Sequence, residues 1–289
     1  MRILVTGARG QLGQACCQIF TAAGHETTGV DLPDGDLAIA GVATRLLAGC
    51  RPERVINCAA YTAVDRAETE RDQAEAGNAT AVVRLGAACE EVGAVLTHVS
   101  TDYVFAGTDP AGYAEDASRE PVGWYGVTKA RGEEAVERLS IPWQIVRTSW
   151  LFGHGPANFV RTIRRLLGER ETLTVVDDQH GSPTYAPDLA TLILNLAVTD
   201  ATGIFHGTNA GHCTWFEFAR EIARLSEADP GRIAPCTTAD YPAPAQRPAC
   251  SILRDTRLGS LGIPAAPTWS EATARYVTWL ERNEETSTP

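Results

Sequence analysis

The stretch VTGARGQLGQ, residues 5–14, places Gly7, Gly10 and Gly13 in a G-x-x-G-x-x-G spacing. An apolar run precedes it and a helical pattern begins inside it. Glycine permits a tight turn and lets backbone N–H groups approach a pyrophosphate, whose negative charge the helix dipole then favours. Glycine triplets also occur in ordinary turns, but the strand before and the helix after this one indicate a dinucleotide-binding loop.

Outward from this loop, the first half of the chain alternates short apolar runs with helical stretches. Strands are predicted at Ile3–Thr6, Thr27–Val30, Val55–Cys58, Val95–Val99 and Trp143–Arg147. Helices are predicted at Leu12–Ala23, Ala40–Leu47, Ala74–Glu91 and Tyr125–Leu139. This alternation predicts an α/β protein of Rossmann type, with a doubly wound parallel sheet covered by helices on both faces.

The second half, after about residue 150, contains more turns and prolines, and its elements are shorter. Helices are predicted there at Phe159–Leu167, Leu189–Leu196, Trp215–Leu225 and Ser270–Arg282. The sequence therefore predicts a dinucleotide-binding Rossmann domain over residues 1–150 and a smaller α/β part over residues 151–289. We expect the second part mainly to bind substrate, with some of its segments returning to the first domain.

The composition is that of an ordinary globular protein, with 44% hydrophobic and 21% charged residues in 289. A formal net charge of −11, with no basic run to offset it, argues against nucleic acid or an anionic membrane as a partner. No apolar run has the length of a membrane span and no signal-peptide pattern is present, so a cytoplasmic location is expected. The eight cysteines form no C-x-x-C pair, which predicts reduced, mostly buried thiols and neither a disulfide framework nor a zinc site.

Asp31 ends the second predicted strand, about where an acidic residue meets the adenine ribose 2′-OH of a dinucleotide. A carboxylate there repels a 2′-phosphate. The sequence therefore predicts NADH or NADPH as cofactor, with NADH slightly favoured. The alternative is an ordinary turn aspartate.

Lys129 is the only lysine in the chain, and it lies four residues after Tyr125. Four residues make about one helical turn, so both side chains point the same way. The pKa of a free phenol, near 10, is too high for efficient catalysis at neutral pH, and a cation within a few ångströms lowers that pKa by about 1–3. A compact ammonium also suits the hydroxyls of a nicotinamide ribose better than a guanidinium does. The pair therefore predicts acid–base chemistry; the alternative is an accidental pair on a helix surface.

Such chemistry needs a hydroxyl near the tyrosine, and the stretch HVSTDYVFAG supplies Ser100 and Thr101 just after the fourth strand. Ligands bind at the carboxyl ends of parallel strands, where both residues would lie. Either hydroxyl could instead cap a turn.

Seven motifs occur in order along nearly the whole chain: GxxGxxG, NCAAYTAVDRAE, STDYVFAG, YGVTKARGE, IVRTSWLFG, DDQHGSPT and RPACSILRDTRL. Together they resemble the dTDP-4-dehydrorhamnose reductase family of the extended short-chain dehydrogenases/reductases. The first motif and Tyr-x-x-x-Lys are generic to that superfamily, whereas AAYTAVDRAE, STDYVF and RTSW are far more specific. The resemblance implies hydride transfer from NADH or NADPH to the C4 ketone of dTDP-4-dehydro-6-deoxy-L-mannose, which gives dTDP-L-rhamnose.

The resemblance also implies roles for individual residues. Tyr125 would be the proton donor, and Lys129 its partner, which also binds the ribose. Thr101 would be the hydroxyl that contacts the ketone oxygen, and it is favoured over Ser100 for this reason. Asn78, in GNAT, matches the family asparagine behind the lysine; a helix-surface amide is the alternative.

Binding positions follow from the same resemblance. Besides Gly7 and Gly13, the residues that match cofactor-contacting positions are Gly10, Gln11, Leu12, Asp31, Asp36, Leu37, Ala60, Tyr61, Thr62, Tyr125 and Lys129. Thr101, Asp102, Tyr125 and Trp150 match positions that hold the nucleotide sugar, and Arg247 is a weaker candidate for a phosphate contact. Trp150 could also be part of the core, and Arg247 could pair with a carboxylate on the surface.

Some family members bridge a dimer through magnesium bound by glutamates. Ala15 and Pro187 stand at those places here, and neither side chain can ligate a hard cation. We therefore expect no metal site, and a monomer or a weak homodimer.

Three other functions remain open from the sequence. The first is reduction of a related dTDP-sugar, such as the dihydrostreptose precursor. The second is a nucleotide-sugar dehydratase or epimerase, although dehydratases carry Asp-Glu where this chain has Asp102 and Tyr103. The third belongs to another class: a non-catalytic regulatory subunit like that of methionine adenosyltransferase, against which the intact Tyr125 and Lys129 pair argues.

Overall fold

The computed structural model describes residues 1–155 and 157–285. Its strands are β1 Arg2–Thr6, β2 Glu26–Val30, β3 Arg54–Asn57, β4 Val95–Thr101, β5 Trp143–Thr148, β6 Leu151–Phe152, β7 Leu173–Val176, β8 His180–Gly181, β9 Thr184–Tyr185, β10 Gly203–His206, β11 Cys213–Thr214 and β12 Ile233–Cys236. Its α-helices are α1 Gln11–Ala22, α2 Val42–Cys50, α3 Val64–Ala67, α4 Arg71–Glu75, α5 Ala81–Val92, α6 Trp124–Glu137, α7 Phe159–Glu169, α8 Ala186–Ala197, α9 Trp215–Leu225 and α10 Trp269–Glu285.

A six-stranded sheet in the order β2-β1-β3-β4-β5-β10 forms the centre of the fold. All of its pairings are parallel. From β1 the chain continues to β2 on one side and to β3 on the other, so the strand order reverses between β1 and β3. That reversal is where open α/β sheets bind ligands, in the crevice at the carboxyl ends of the strands. The predicted fold class is confirmed.

The predicted elements of the first half all occur, with ends shifted by at most three residues, apart from one helix. The predicted helix Ala74–Glu91 is instead the end of α4, a π-helical turn at Ala76–Thr80, and α5. An α-helical periodicity cannot reveal a single wider turn, because the apolar positions on both sides keep their spacing. Such turns are frequent at functional sites, and this one carries Asn78.

Segments beyond residue 150 complete the first layer. β10 pairs with β5 at the edge of the sheet, and α8 packs on α1 through a shared core that includes Phe20 and Ile193. The other elements of the second half gather around a separate core of α7, α9 and α10, which includes Phe218 and Tyr276. The division of the chain at residue 150 stays a prediction. The last residues of the predicted second part, 286–289, lie outside the described part of the chain.

All eight cysteines are free, and four of them are buried. Within the described residues, no group of three or more His, Cys, Asp and Glu side chains could hold a metal ion. No helix in the same residues combines the length and the apolar character needed to cross a membrane.

A buried ion pair fixes α6 against β5. Arg147 donates from Nε and Nη2 to the two oxygens of Glu133, at 2.9 and 2.7 Å, and these side chains are 1% and 0% exposed. Arg119 adds a bond of 3.1 Å. Burial would raise the pKa of Glu133, but the hydrogen bonds and charges of the two arginines outweigh it, so that the pKa is lowered.

Replacing Glu133 by Gln should destabilise the fold by about 3–5 kcal/mol, because it leaves a buried guanidinium without its counter-charge. Urea unfolding followed by circular dichroism measures this loss. Glu134→Gln is the matched control, since Glu134 is 48% exposed and 3.7 Å from Arg138, and it should cost at most about 0.5 kcal/mol. Equal midpoints for the two variants would contradict the importance of the pair.

Candidate active site

The glycine loop connects β1 to α1 in a conformation that larger residues cannot adopt. Gly7 has φ of 64°, and a Cβ there would lie 2.7 Å from the backbone nitrogen of Ala59. A Cβ on Gly13 would lie 2.1 Å from the carbonyl oxygen of Gly7. Gly10 donates its N–H to that carbonyl at 3.0 Å, which closes the turn just before the helix begins. The loop therefore presents bare backbone at a helix N-terminus, as a pyrophosphate requires.

A single cavity of about 910 Å³ opens beside this loop at the carboxyl ends of β1, β3 and β4. It is lined by the predicted cofactor residues, namely Gly7, Gly10, Gln11, Leu12, Gly13, Asp31, Asp36, Leu37, Ala60, Tyr61, Thr62, Tyr125 and Lys129. The predicted substrate residues Thr101, Asp102 and Trp150 line it as well. Its size and its bare loop fit a nicotinamide dinucleotide together with a second ligand.

Asp31 is fixed at the end of β2 by backbone donors. Its Oδ2 accepts from the N–H of Arg9 and its Oδ1 from the N–H of Leu32, both at 2.8 Å. Each oxygen keeps a further lone pair that can accept a hydroxyl proton. A ribose hydroxyl could therefore donate to either oxygen, whereas the negative charge would repel a 2′-phosphate.

Asp31→Ala should shift the ratio of kcat/KM for NADH to that for NADPH toward NADPH by about tenfold or more, the value of a hydrogen bond to a charged group. Steady-state kinetics with both cofactors measure the ratio. Glu26→Ala, an exposed carboxylate at the other end of β2, should leave it unchanged. An unaltered ratio in the Asp31 variant would place the selectivity elsewhere.

Tyr125 lies in a buried polar cluster with Thr101 and Asp102. The hydroxyl of Thr101 donates to Asp102 Oδ1 at 2.9 Å. Burial raises the pKa of Tyr125 to about 12, hydrogen bonding with Thr101 lowers it in part, and the charge of Asp102 adds to the rise. Burial also raises the pKa of Asp102 to about 6, against hydrogen bonds from Ser251 and Thr101. The phenol therefore keeps its proton at neutral pH.

Lys129 is 2% exposed and lies on the same helix face as Tyr125. Its Nζ donates to the carbonyl of Val99 at 2.7 Å and lies 3.4 Å from His98 Nε2. Burial lowers the pKa of Lys129 to about 8. Sequence reasoning predicted that the lysine lowers the pKa of Tyr125, but in the structure burial dominates and the pKa of the phenol is raised. Neither of the two described hydrogen bonds of Lys129 goes to the phenol.

Asn78 and Arg247 are the two predicted site residues outside the cavity lining. Asn78 donates to the carbonyl of Tyr61 at 3.0 Å and to the hydroxyl of Thr128 at 3.1 Å, so it ties the Tyr61 loop to α6 directly beside Lys129. Arg247 pairs with Asp65 at 2.9 Å, as the surface alternative foresaw. A phosphate at Arg247 would have to share this guanidinium with Asp65.

Trp150 lines the cavity in a strained backbone conformation, with φ of 47°. Its ring stacks on Trp215, with centroids 3.6 Å apart and planes at 10°. Non-glycine residues with positive φ persist where the surroundings hold them, often at ligand sites. The ring therefore forms a rigid wall of the cavity as well as an edge of the second core.

Sequence reasoning missed Thr148, which ends β5 beside Thr101 of β4. Its side chain is buried at the cavity, and its hydroxyl has no hydrogen-bond partner among the described residues. Buried hydroxyls normally have a partner, so Thr148 is suited to contact a ligand. The rule that found Thr101, a hydroxyl at the carboxyl end of a parallel strand, applies equally to it.

A glycine loop at the switch point of a parallel sheet, facing a tyrosine and a lysine one helical turn apart, is the arrangement of the short-chain dehydrogenase/reductase class. Comparison with known proteins narrows this class to one family. The RmlD substrate binding domain family matches residues 1–282. The chain belongs to this family, and the resemblance to dTDP-4-dehydrorhamnose reductases is confirmed.

Three relatives illustrate the match. A dTDP-4-dehydrorhamnose reductase of Streptomyces griseus is 42% identical over 277 residues, which cover 94% of this chain and 91% of that protein. A dTDP-4-keto-6-deoxy-D-glucose reductase of Streptomyces niveus is 37% identical, with coverage of 98% and 99%. The crystal structure of dTDP-4-dehydrorhamnose reductase from Bacillus anthracis, in complex with NADP, superposes with a TM-score of 0.93 at 39% identity and covers 96% of this chain and 99% of that one.

Proposed function

We propose that the protein reduces the C4 ketone of dTDP-4-dehydro-6-deoxy-L-mannose to dTDP-L-rhamnose, with NADH or NADPH as the reductant. The observation that carries the proposal is the single cavity in which the glycine loop, Tyr125 and Lys129 meet. The match to dTDP-4-dehydrorhamnose reductases over nearly the whole chain supports the substrate. The NADP complex of the Bacillus anthracis enzyme supports the cofactor.

The dinucleotide, when bound, supplies the hydride, and the protein has to place it. The loop residues Gly7, Gly10 and Gly13 would hold the pyrophosphate at the N-terminus of α1. Asp31 would accept hydrogen bonds from the ribose hydroxyls of the adenosine. Lys129 would donate hydrogen bonds to the hydroxyls of the nicotinamide ribose, because its ammonium lines the cavity.

Tyr125 would donate its proton to the ketone oxygen as that oxygen becomes an alkoxide. A phenol whose pKa is about 12 is almost fully protonated at neutral pH, as an acid must be before it acts. Thr101 and Thr148 lie on the adjacent carboxyl ends of β4 and β5. Their hydroxyls would bind the sugar oxygens around C4 and fix the face that receives the hydride.

The nucleotide sugar would extend from this point toward Trp150 and Asp102. The stacked ring of Trp150 offers an apolar wall, and the buried carboxyl of Asp102, which accepts a hydrogen bond from Thr101, could accept another from a sugar hydroxyl. Arg247 would contact the diphosphate with a guanidinium that it shares with Asp65. A role of Asn78 behind Lys129 belongs to the same proposal, as the residue that holds α6 in place.

The oligomeric state and location are part of the proposal as well. We propose a monomer or a weak homodimer in the cytoplasm. Ala15 is 5% exposed in the α1–α8 packing, and Pro187, the second residue of α8, has no side-chain oxygen to offer to magnesium.

A second candidate is reduction of another dTDP-4-keto sugar, which the 37% identity to a dTDP-4-keto-6-deoxy-D-glucose reductase favours. The test is oxidation of NADPH and of NADH, followed by absorbance, with dTDP-4-dehydro-6-deoxy-L-mannose and with dTDP-4-keto-6-deoxy-D-glucose. Turnover of the first sugar at a kcat/KM at least tenfold above that of the second supports the proposal. A reversed preference supports the second candidate, and turnover of neither sugar contradicts both.

A further inference from the structure

A chain of buried polar side chains lies behind Lys129. Thr6 Oγ1 donates to Asn57 Oδ1 at 2.6 Å, Asn57 Nδ2 lies 2.9 Å from His98 Nδ1, and His98 Nε2 lies 3.4 Å from Lys129 Nζ. None of the four residues is more than 2% exposed. The chain starts on β1, crosses β3 and β4, and ends on α6, so it connects the middle of the sheet to the floor of the cavity.

The lysine ammonium has two described hydrogen-bond neighbours, the carbonyl of Val99 and the imidazole of His98. An ammonium has three N–H donors and no acceptor. One donor goes to the carbonyl of Val99 at 2.7 Å and a second faces His98 Nε2. Because Lys129 also lines the cavity, the third N–H is left for a ligand. Without His98, two donors would be free to rotate about the bond to Val99.

The hydrogen bonds along this chain of side chains can be donated in either direction. With Asn57 Nδ2 donating to His98 Nδ1, the proton of a neutral imidazole sits on Nε2, which suits an uncharged amine at Lys129. If the amide of Asn57 turns over, its oxygen accepts from His98 Nδ1–H and its nitrogen donates to Thr6 Oγ1. His98 Nε2 then has a free lone pair for the charged ammonium. Both directions satisfy His98 and Lys129, but in the second the Thr6 hydroxyl proton has no acceptor among the described hydrogen bonds.

The charged and titratable groups around the lysine favour a neutral histidine. Burial, and then the charge of Lys129, lowers the pKa of His98 well below its usual range. Burial lowers the pKa of Lys129 to about 8, while Glu133 on its own helix and Cys58 after β3 act in the opposite direction. Tyr125, one turn earlier on α6, is neutral over the same range because its pKa is raised to about 12. At neutral pH an ammonium therefore faces a neutral imidazole.

We propose that His98 is a positioning residue for Lys129. With the Asn57 amide turned so that its oxygen accepts from His98 Nδ1–H, His98 Nε2 accepts a hydrogen bond from the ammonium, keeps it charged, and directs its remaining N–H into the cavity; the orientation in which Thr6 donates to Asn57 Oδ1 belongs to the uncharged amine. Loss of the lysine proton reverses the chain, and the imidazole then presents its Nε2–H to the amine. The catalytic meaning of this device rests on the proposed reductase function. Its geometry can be tested without any turnover.

The single lysine of the chain makes a direct test possible. Protein labelled with ¹³C-lysine gives one Cε resonance, whose chemical shift over a pH titration reports the pKa of Lys129. His98→Asn places an amide near the position of Nδ1 and loses the group that faces the ammonium. His98→Gln extends an amide to about the position of Nε2. The expected result is a pKa of Lys129 about one pH unit lower in the Asn variant, and close to wild type in the Gln variant.

Thr97→Val is the matched control. Thr97 lies on the same strand, is equally buried, and donates to Gln144 at 2.7 Å, with no described hydrogen bond to the lysine. It should leave the titration of Lys129 unchanged. A wild-type titration in His98→Asn would overturn the proposal. An equal shift in Thr97→Val would overturn it too, because the effect would then come from a loosened interior.

A measurement on the wild-type protein needs no variant to fold. Long-range ¹H–¹⁵N spectra of histidine-labelled protein report the tautomer of each of the six imidazoles. One of them should change from Nδ1–H to Nε2–H over the pH range in which the lysine signal titrates. If none does, the reversible chain is wrong. A lysine that titrates as expected in a protein without reductase activity would uphold this device and reject the proposed function alone.

Discussion

Replacing Tyr125 with phenylalanine is expected to lower kcat by about 10²–10⁴-fold, the usual value of a positioned general acid. The substitution removes the hydroxyl that is proposed to deliver the proton to the ketone and leaves the ring, which packs edge-to-face on Tyr103 with centroids 5.5 Å apart. Cofactor binding should change little, because the phosphate loop and Asp31 are untouched. Single-turnover kinetics and NADPH fluorescence separate the two effects.

A matched control is Tyr113→Phe. The hydroxyl of Tyr113 accepts hydrogen bonds from the backbone N–H groups of Thr108 and Asp109, outside the cavity lining. Its loss should therefore leave kcat within about twofold of wild type, as for a substitution away from the site. A Tyr125→Phe variant within about tenfold of wild type would show that another group supplies the proton.

Replacing Lys129 with arginine is expected to lower kcat/KM by about 10²-fold, although the charge is kept. Lys129 is 2% exposed and contacts the carbonyl of Val99 and His98 on the side away from the cavity, and a guanidinium is wider than the ammonium that fits there. The planar fork must displace its neighbours or withdraw from the cavity, and a misplacement of about 1 Å at a catalytic site costs about 10²-fold. Steady-state kinetics and NADPH titration measure the loss.

The pH profile gives this variant a second readout. Burial lowers the pKa of Lys129 to about 8, so its ammonium is present below that pH and is lost as the pH rises through it. Wild-type activity should therefore fall on the alkaline side, whereas arginine stays charged and should show no such fall in its residual activity. Arg131→Lys, an exposed exchange on the same helix, is the control. A Lys129→Arg enzyme with wild-type kcat would contradict the role assigned to the lysine.

Local patterns sufficed for the parts of the fold that depend on local sequence. The spacing of Gly7, Gly10 and Gly13 between an apolar run and a helix predicts a tight turn at a helix N-terminus, and that context favours a dinucleotide as ligand. The interval between Tyr125 and Lys129 likewise fixes their common face. Each of these conclusions needs only the geometry of one element.

Contacts between distant elements were not accessible in this way. Arg247 meets Asp65 across 182 residues, and neither neighbourhood contains a sign of the other. Thr148 acquires its position at the cavity from its pairing with β4, not from its own strand. The π-helical turn at Asn78 is invisible to periodicity because it shifts the helix by only one residue.

The pKa of Tyr125 shows why burial must be known before electrostatics can be judged. The four-residue spacing places the Lys129 cation near Tyr125, and from this the sequence predicted a lowered pKa of the phenol. The structure encloses both side chains, and the loss of solvation around the phenol raises its pKa instead. Desolvation of this size depends on the whole surrounding core, which no short stretch of sequence specifies.

The most direct test of the central claim is the fate of the hydride. The enzyme should be incubated with NADPH deuterated at the nicotinamide C4 position, on each face in turn, and with dTDP-4-dehydro-6-deoxy-L-mannose. With one of the two labelled cofactors, the account predicts a single deuterium at C4 of the sugar, in dTDP-L-rhamnose of one C4 configuration, by mass spectrometry and NMR. Deuterium at another carbon, or substrate consumed without label from either cofactor, would contradict it.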